Sequence, residues 1–200
     1  NKKTVVITGG KGLLGSRLTS YLFNLNYFVI IIDLGRRDSN LSKNIGYIEF
    51  DLTNIKKYND LVVKISSMTD NLYGLINNAA YNPKIEGGLN FGDYENLDLD
   101  EWNNEVALNL SSPVFLVKSL LPIFNRKDNQ YCKIVNVVST YGIVPPNQNI
   151  YKNLSIKTGS IILKPVAYPV TKAGLLMFTK YLATYPGCKG ININAIAPGE

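Results

Sequence analysis

The run Thr4-Val5-Val6-Ile7-Thr8, followed directly by Gly9-Gly10-Lys11-Gly12-Leu13-Leu14-Gly15, constrains this chain more than any other stretch. The first five residues read as a short, fully buried strand, and Leu14, Leu18, Leu22 and Leu25 then recur at helical spacing, so the glycines occupy a strand-to-helix turn. Gly9 suits the tight turn, Gly12 a close approach of backbone to a pyrophosphate, and Gly15 close packing of helix on sheet. The helix N-terminus supplies unpaired N–H groups for an anion, which makes Gly9, Lys11, Gly12, Leu13, Leu14 and Gly15 a candidate dinucleotide cradle. Glycines that merely permit a sharp loop are the alternative; the strand before them and the helix after them favour the cradle.

The same alternation continues. Tyr27 to Ile32 reads as a second buried strand ending in Asp33, where a carboxylate can accept hydrogen bonds from adenosine ribose hydroxyls and repel a 2′-phosphate. This favours NAD, with NADP possible because Arg36 and Arg37 follow and could fold back onto a phosphate. Tyr47 to Phe50 gives a third strand whose exit, Asp51-Leu52-Thr53-Asn54, offers Thr53 or Asn54 as a helix cap. Asp51 either touches the adenine edge or structures the loop. Ile55 to Met68 reads as a helix with Tyr58, Leu61, Val62, Ile65 and Met68 as its packing stripe.

Leu72 to Ile76 forms a fourth strand leading into Asn77-Asn78-Ala79-Ala80, small and amide side chains that suit a crevice against a flat ligand or a plain turn. Residues 81–98 read as a long polar loop with a short helical turn. Asp100 then caps a helix in which Asn109 sits among Leu108, Leu110, Val114, Phe115 and Leu116; a buried amide there needs partners, and serves either to bend the helix or as part of a polar relay. Cys132 to Val138 is a fifth strand with Ser139 at its end. Residues 143–164 read as a long irregular connection before a helix starting at Pro165. Ile191 to Ile196 is a sixth strand with Ala197-Pro198-Gly199 as its exit. Such a sheet wants more on its far side, so a further C-terminal strand and lid are expected beyond Glu200.

Strands with ligand-competent residues at their C-terminal ends, separated by helices, predict an α/β chain. The expected architecture is a Rossmann-like doubly wound three-layer αβα sandwich with a mainly parallel sheet, one domain over residues 1–200. Two hundred residues, 46% hydrophobic and 18% charged, are enough for one core. With no histidine and only Cys132 and Cys188, zinc chemistry and histidine triads are excluded and no metal is expected. No apolar stretch approaches the roughly 20 residues of a membrane span. The formal charge of +6 is spread without a basic tract, so no nucleic-acid face is expected; an anionic small ligand suits it equally well. A reducing, cytoplasmic setting is the default.

Ala167-Tyr168-Pro169-Val170-Thr171-Lys172-Ala173-Gly174 carries the chemistry. On a helix, Tyr168 and Lys172 share a face, and an ammonium there favours the phenolate of a tyrosine whose ordinary pKa is about 10. Tyrosine and lysine at this spacing also arise by chance; the other strand ends give the pair its context.

Thr8 to Gly15, Asn77 to Ala80, Asn109, Tyr168 with Lys172, and Ala197 to Gly199 together resemble the short-chain dehydrogenase/reductase superfamily along nearly the whole chain. The middle glycine is placed as in the extended, nucleotide-sugar-modifying branch, whereas the Asn77 run, with Ala80 where glycine is usual, resembles the compact branch. The resemblance implies Tyr168 as general acid/base, Ser139 as the group polarising the substrate oxygen, Lys172 on the nicotinamide ribose, and Asn109 ordering a water that links the lysine to solvent. It extends the cofactor contacts to Asp33, Arg36, Asp51, Leu52, Asn78, Ala79, Ala80, Tyr168, Lys172, Pro198 and Gly199.

The long Ser139–Tyr168 separation, through Pro145, Tyr151, Asn153 and Lys157, and the 81–98 loop are similar to those of bacterial oxidoreductases of flagellin-glycosylation and nonulosonic-acid (legionaminic acid-type) pathways. That implies a sugar or nucleotide-linked sugar substrate. The resemblance also implies a homodimer or homotetramer through the helices at 104–124 and 165–185, with Leu116, Leu120, Leu175, Phe178 and Leu182 as candidate contacts. An epimerase or dehydratase with tightly held NAD, or a non-catalytic nucleotide-binding scaffold, are the alternatives.

Overall fold

A computed structural model describes residues 2–82, 92–125 and 131–199. Its centre is one six-stranded sheet in the order β3-β2-β1-β4-β5-β6. The strands are β1 (Thr4–Thr8), β2 (Phe28–Asp33), β3 (Gly46–Glu49), β4 (Leu72–Asn77), β5 (Lys133–Val137) and β6 (Asn192–Ile196). Every pairing is parallel. All strand C-terminal ends therefore lie along one edge, where a ligand crevice forms on either side of the point at which strand order reverses, here at β1 and β4.

The helices are α1 (Leu13–Asn24), α2 (Tyr58–Met68), α3 (Leu99–Val106), α4 (Ser112–Phe124), α5 (Lys152–Thr158) and α6 (Ala167–Thr184). Side chains alternate across the pleat, so β1 feeds both layers. Val5 and Ile7 join Val29 and Ile31 under Leu18 and Leu22 of α1. Val6 joins Ile30, Ile32 and Leu75 under Leu61 and Ile65 of α2 and Leu116, Val117 and Leu120 of α4. Between β4, β5 and α6 runs a buried polar ladder: Asn77 Nδ2 donates to Asn136 Oδ1 (2.8 Å), and Asn136 Nδ2 donates to Thr179 Oγ1 (2.9 Å). Slipping either strand by one residue would turn these amides to the wrong face, so the ladder pins register.

Several local expectations change. Thr53 and Asn54 do not cap α2, which follows a 3-10 turn Ile55–Lys57; Asp51 Oδ1 instead accepts from Thr53 N–H (2.9 Å) and Thr53 Oγ1 (2.8 Å). Asp98, not Asp100, caps α3, accepting from Glu101 N–H at 2.9 Å. The 143–164 connection is not irregular throughout: a 3-10 turn Gln148–Tyr151 leads into α5, which stops at Gly159 with φ +67 in the left-handed region. That short helix lacks a buried face, which removes the periodic signal from its sequence. Helix α6 starts two residues after Pro165, at Ala167. Within the 81–98 loop, a 3-10 turn spans Tyr94–Asn96, while residues 83–91 lie outside the described residues.

Helices α3 and α4 are continuous through a π turn, Ala107–Ser111. The joined helix Leu99–Phe124 reaches 26 residues with a mean hydropathy of 1.5 in its most apolar window, so by length and composition it matches a membrane span, contrary to the sequence expectation. Its apolar residues are interrupted by Asn109, Ser112 and Pro113, and its Leu116, Val117, Leu120 and Phe124 face is packed in the core. The leucines expected at a subunit interface are likewise spent internally: Leu116, Leu120, Leu175 and Leu182 are buried and Phe178 packs against the same core. Exposed apolar positions on these helices include Leu99, Phe115, Val170, Met177 and Tyr181.

Candidate active site

The glycine turn is built by close contacts. Gly9 adopts φ +64, and its N–H donates to Ile32 O at 2.8 Å, tying the turn to β2. A methyl group on Gly15 would overlap the Gly9 carbonyl oxygen and lie 2.8 Å from Gly10 Cα; one on Gly10 would lie 2.7 Å from the Ile31 side chain. Only at Gly12, the residue that caps α1, is there room, with Gly9 O at 3.4 Å as the sole neighbour. Gly15 thus serves the turn itself, and the open face at Gly12 is left for a ligand.

Thr8 and Asn78 clamp this turn to the end of β4, a role the sequence did not reveal. Thr8 Oγ1 accepts from the N–H groups of Asn78 and Ala79, each at 3.0 Å, while Asn78 Nδ2 donates to Thr8 O and Gly9 O, each at 3.0 Å. The result is a cleft of about 540 Å³ lined by Gly9, Gly12, Leu13, Leu14, Asp33, Asp51, Leu52, Asn78, Ala79, Ala80 and Asn82.

Asp33 is at the tip of β2 as expected. Its Oδ2 accepts from Lys11 N–H and its Oδ1 from Leu34 N–H, both at 2.8 Å. A carboxylate has about four acceptor sites, so two remain for hydroxyl donors. Lys11 turns outward, its ammonium 3.0 Å from Asp38, and that hydrogen-bonded pairing raises its pKa above the ordinary value. Arg37 does not fold back: its guanidinium donates to the carbonyls of Ile45 (2.7 Å), Leu41 (3.3 Å) and Ser42 (2.5 Å). Arg36, Pro198 and Gly199 do not line the cleft; Pro198 O instead accepts from Thr140 N–H at 3.3 Å.

On α6, Tyr168 and Lys172 occupy successive turns, with Lys172 Nζ 5.7 Å from the Tyr168 ring centroid. Lys172 is 2% exposed and donates to Val137 O at 2.8 Å. Burial pushes its ammonium down to about 8. Ser139, buried at the end of β5, accepts from Tyr141 N–H at 3.2 Å and opens the 3-10 turn Thr140–Gly142. That turn is pressed onto α6: a methyl on Gly142 would lie 2.8 Å from the Lys172 carbonyl carbon. Glycine at 142 therefore lets the end of β5 meet the first turns of α6.

Asn109 is buried on the π turn, where one extra residue in the helical turn re-aims a side chain. Its Oδ1 accepts from Tyr81 N–H (2.7 Å), and its Nδ2 donates to Tyr81 O (2.9 Å) and Thr171 Oγ1 (3.4 Å). It thus holds the chain leaving β4 against α6 and makes no direct bond to Lys172. Of the two sequence readings of this amide, the helix-bending one matches the π turn it sits on, while its bonds run to Tyr81 and Thr171.

Two charged groups here escaped sequence reading. Lys164 Nζ lies 4.3 Å from the Tyr168 ring centroid and 5.7 Å from that of Tyr141, and donates to Asn82 Oδ1 at 2.7 Å. Glu105, one turn before Asn109, is 3% exposed with no hydrogen-bond partner for Oε2. Burial pushes its carboxyl up to about 7, with Lys164 opposing and Glu101 adding to the rise. Its position four residues before Asn109, on the same helical face, was the available signal.

Residues 3–152 match the short chain dehydrogenase family. A 7alpha-hydroxysteroid dehydrogenase of Bacteroides fragilis is 28% identical over 98% of this chain and 71% of its own length. A D-beta-hydroxybutyrate dehydrogenase of Cupriavidus necator is 25% identical over 100% of this chain and 70% of its own. Among solved structures, a short chain dehydrogenase from Leptospira borgpetersenii with bound NAD+ superposes with a TM-score of 0.83 at 29% identity, covering 100% of this chain and 71% of that one.

Proposed function

The chain belongs to the short chain dehydrogenase family, an NAD-dependent hydride-transfer oxidoreductase by that membership, and we propose that it interconverts a secondary alcohol and a carbonyl with Tyr168 as general acid/base. The observation that carries the assignment is the junction at Gly142, which brings the Ser139 end of β5 onto the α6 turns bearing Tyr168 and Lys172.

The residues present fit a nicotinamide adenine dinucleotide. The open face at Gly12, the small Ala79 and Ala80, and the spare acceptor sites of Asp33 lie along one cleft. Gly9, Gly12, Leu13 and Leu14 would hold the pyrophosphate end, with Gly15 keeping the turn tight and Lys11 N–H fixing the Asp33 carboxylate; Asp33 would take the adenosine ribose, and Asp51, Leu52 and Asn78 to Ala80 the flat rings. Arg37 is committed to three loop carbonyls rather than turned to a 2′-phosphate, which supports NAD over NADP. When bound, the nicotinamide supplies the hydride acceptor or donor.

The chain's own residues supply the proton chemistry. In the oxidation direction, the phenolate of Tyr168 takes the hydroxyl proton as the carbon loses its hydride; in reduction the phenol returns it. Ser139 Oγ, which accepts from Tyr141 N–H, would hydrogen-bond the same substrate oxygen. The charge of Lys172 favours the phenolate, and its bond to Val137 O fixes the ammonium at the end of β5. Asn109 steadies the segment at Tyr81 that continues to Asn82 in the cleft wall.

The substrate reading is a sugar or nucleotide-linked sugar, supported by the long segment between Ser139 and Tyr168. That segment folds into α5 and meets the end of the 81–98 loop: a methyl on Gly92, which has φ +81, would overlap the Leu163 carbonyl oxygen. The assembly is a homo-oligomer using the exposed Phe115, Val170, Met177 and Tyr181 face rather than the buried leucines. Cys132 and Cys188, buried as thiols, suit a reducing, cytoplasmic setting. The decisive experiment is nicotinamide absorbance over a panel of sugars, nucleotide sugars and simple secondary alcohols with wild type and Tyr168→Phe. Turnover should fall by roughly 10²- to 10⁴-fold in the variant. Undiminished turnover overturns the assignment.

A further inference from the structure

Tyr58 is buried behind the cleft and is no part of its lining, yet it braces both neighbours of Asp51. The ring centroids of Tyr58 and Phe50 are 5.8 Å apart, and the Tyr58 hydroxyl donates to Leu52 O at 2.6 Å. Ser112 Oγ, 3.1 Å from the same phenol oxygen, ties it to the start of α4. Phe50, Asp51 and Leu52 are consecutive, and all three line the cleft. Tyr58 shares the buried face of α2 with Leu61 and Ile65, where packing alone asks for no hydroxyl and a buried O–H needs a partner. The partner it has is the backbone of the cleft wall.

The Leu52 carbonyl and the Thr53 N–H belong to one planar peptide, which is held at both ends. Tyr58 takes the oxygen, and Asp51 Oδ1 takes the N–H at 2.9 Å together with Thr53 Oγ1 at 2.8 Å. Locking the plane therefore locks the carboxylate. With Oδ1 occupied, Oδ2 is the acceptor left over, and among the described residues it meets no donor. We propose that Tyr58 is the positioning residue for base recognition: by holding this peptide it sets Asp51 Oδ2 to accept from the exocyclic amine of the cofactor's adenine, so that the protein prefers adenine to a base with a carbonyl oxygen in that place. This role rests on the reading of Asp51 and Leu52 as a wall for the flat rings, and deepens it. A carboxylate only accepts, so an amine suits it and a carbonyl oxygen does not. Asp51 is exposed, and an unbraced side chain there would lose rotamer freedom on binding; braced, it has lost that freedom already. Burial pushes the Tyr58 phenol up to about 12, so the donor to Leu52 O keeps its proton at working pH.

The test compares NADH with reduced nicotinamide hypoxanthine dinucleotide, which carries the same charge and differs in the base alone, oxygen replacing the amine. Both are titrated by fluorescence into wild type and variants, and the ratio of their dissociation constants is the readout. Wild type should bind NADH roughly tenfold or more tightly than the analogue. Tyr58→Phe keeps the ring against Phe50 and removes the hydroxyl; the ratio should fall to within roughly threefold, chiefly through lost NADH affinity. A role in packing alone would weaken both ligands in parallel and leave the ratio where it was. Where Tyr58→Phe does not fold, Ser112→Ala, which loosens the same hydroxyl, should lower the ratio in its stead. Asp51→Asn, which can offer an N–H2 group to the cleft, should move the preference toward hypoxanthine. Equal affinity of wild type for the two dinucleotides, an undiminished ratio in the Tyr58 or Ser112 variant, or an unaltered preference in Asp51→Asn overturns the proposal and leaves the cofactor cleft standing. Binding of neither dinucleotide to wild type overturns it together with the cofactor reading.

Discussion

Lys172 should make the protein less stable at neutral pH than a chain that lacks its charge, and the cost should disappear as pH rises. The residue is 2% exposed, and burial lowers its pKa from 10.5 to about 8. Between those values the unfolded chain binds more protons than the native one, so stability rises with pH through this window. Below about 8 the penalty is fully present, and the gap corresponds to about 3 kcal/mol. Lys172→Met keeps the packing volume but leaves Val137 O without its 2.8 Å partner, which gives back about 1 kcal/mol. The variant should therefore gain about 2 kcal/mol at pH 7 while losing turnover. Other lysines and tyrosines titrate in the same range, so the readout is the difference between variant and wild type in urea denaturation at pH 7 and pH 9.5. That difference should shrink by about 2 kcal/mol over the interval. A difference that stays constant with pH would mean that Lys172 is solvated or ion-paired in the native state and that its burial has been misread.

Glu105 should show the opposite slope. Its carboxyl is raised from 4.5 to about 7 by burial, so native stability falls as pH climbs through that window, and Glu105→Gln should gain roughly 2–3 kcal/mol at pH 8 and almost nothing at pH 4; an equal gain at both values contradicts the burial. Gly15→Ala should cost roughly 1–3 kcal/mol because its methyl meets the Gly9 carbonyl, and should weaken NADH binding at least tenfold by fluorescence titration; unchanged affinity would show that the turn tolerates rearrangement. NADPH should bind roughly tenfold or more weakly than NADH at matched salt, since the Asp33 carboxylate lines the cleft and Arg37 is committed elsewhere; tighter NADPH binding would transfer the decision to Arg36.

The strands and the glycine turn were legible because their signals are local. A run such as TVVIT followed by glycines admits few backbone paths, and Asp33 falls at the end of β2 whichever residue begins it. Helical spacing put Tyr168 and Lys172 on one face, and the other strand ends gave the pair its context. What escaped was decided by contacts distant in sequence. Asp98 is the exception, since Glu101 three residues on gives it the capping-box spacing that Asp100 lacks. Leu116 and Leu120 look alike as interface or core residues until the sheet is placed beneath them. Lys164 is an ordinary lysine until Gln148, 16 positions earlier, fixes its backbone. Thr8 reads as the last residue of a strand, and only the return of β4 beside β1 turns its hydroxyl into a clamp.

The π turn at Ala107–Ser111 divides the longest helix into two parts of different rotational phase. The half before it presents Glu105 within electrostatic reach of Lys164, and the half after it presents Leu116, Val117 and Leu120 to the sheet. A mutation that restores regular winding, such as deletion of Leu108, has to choose between them: with the core half held in place, the site half rotates and withdraws Glu105 from Lys164. Insertions and deletions at these five positions therefore act as a rotary adjustment of the active site on an unchanged foundation, and chains that differ from this one only in the length of that turn should differ in what they accept rather than in whether they fold.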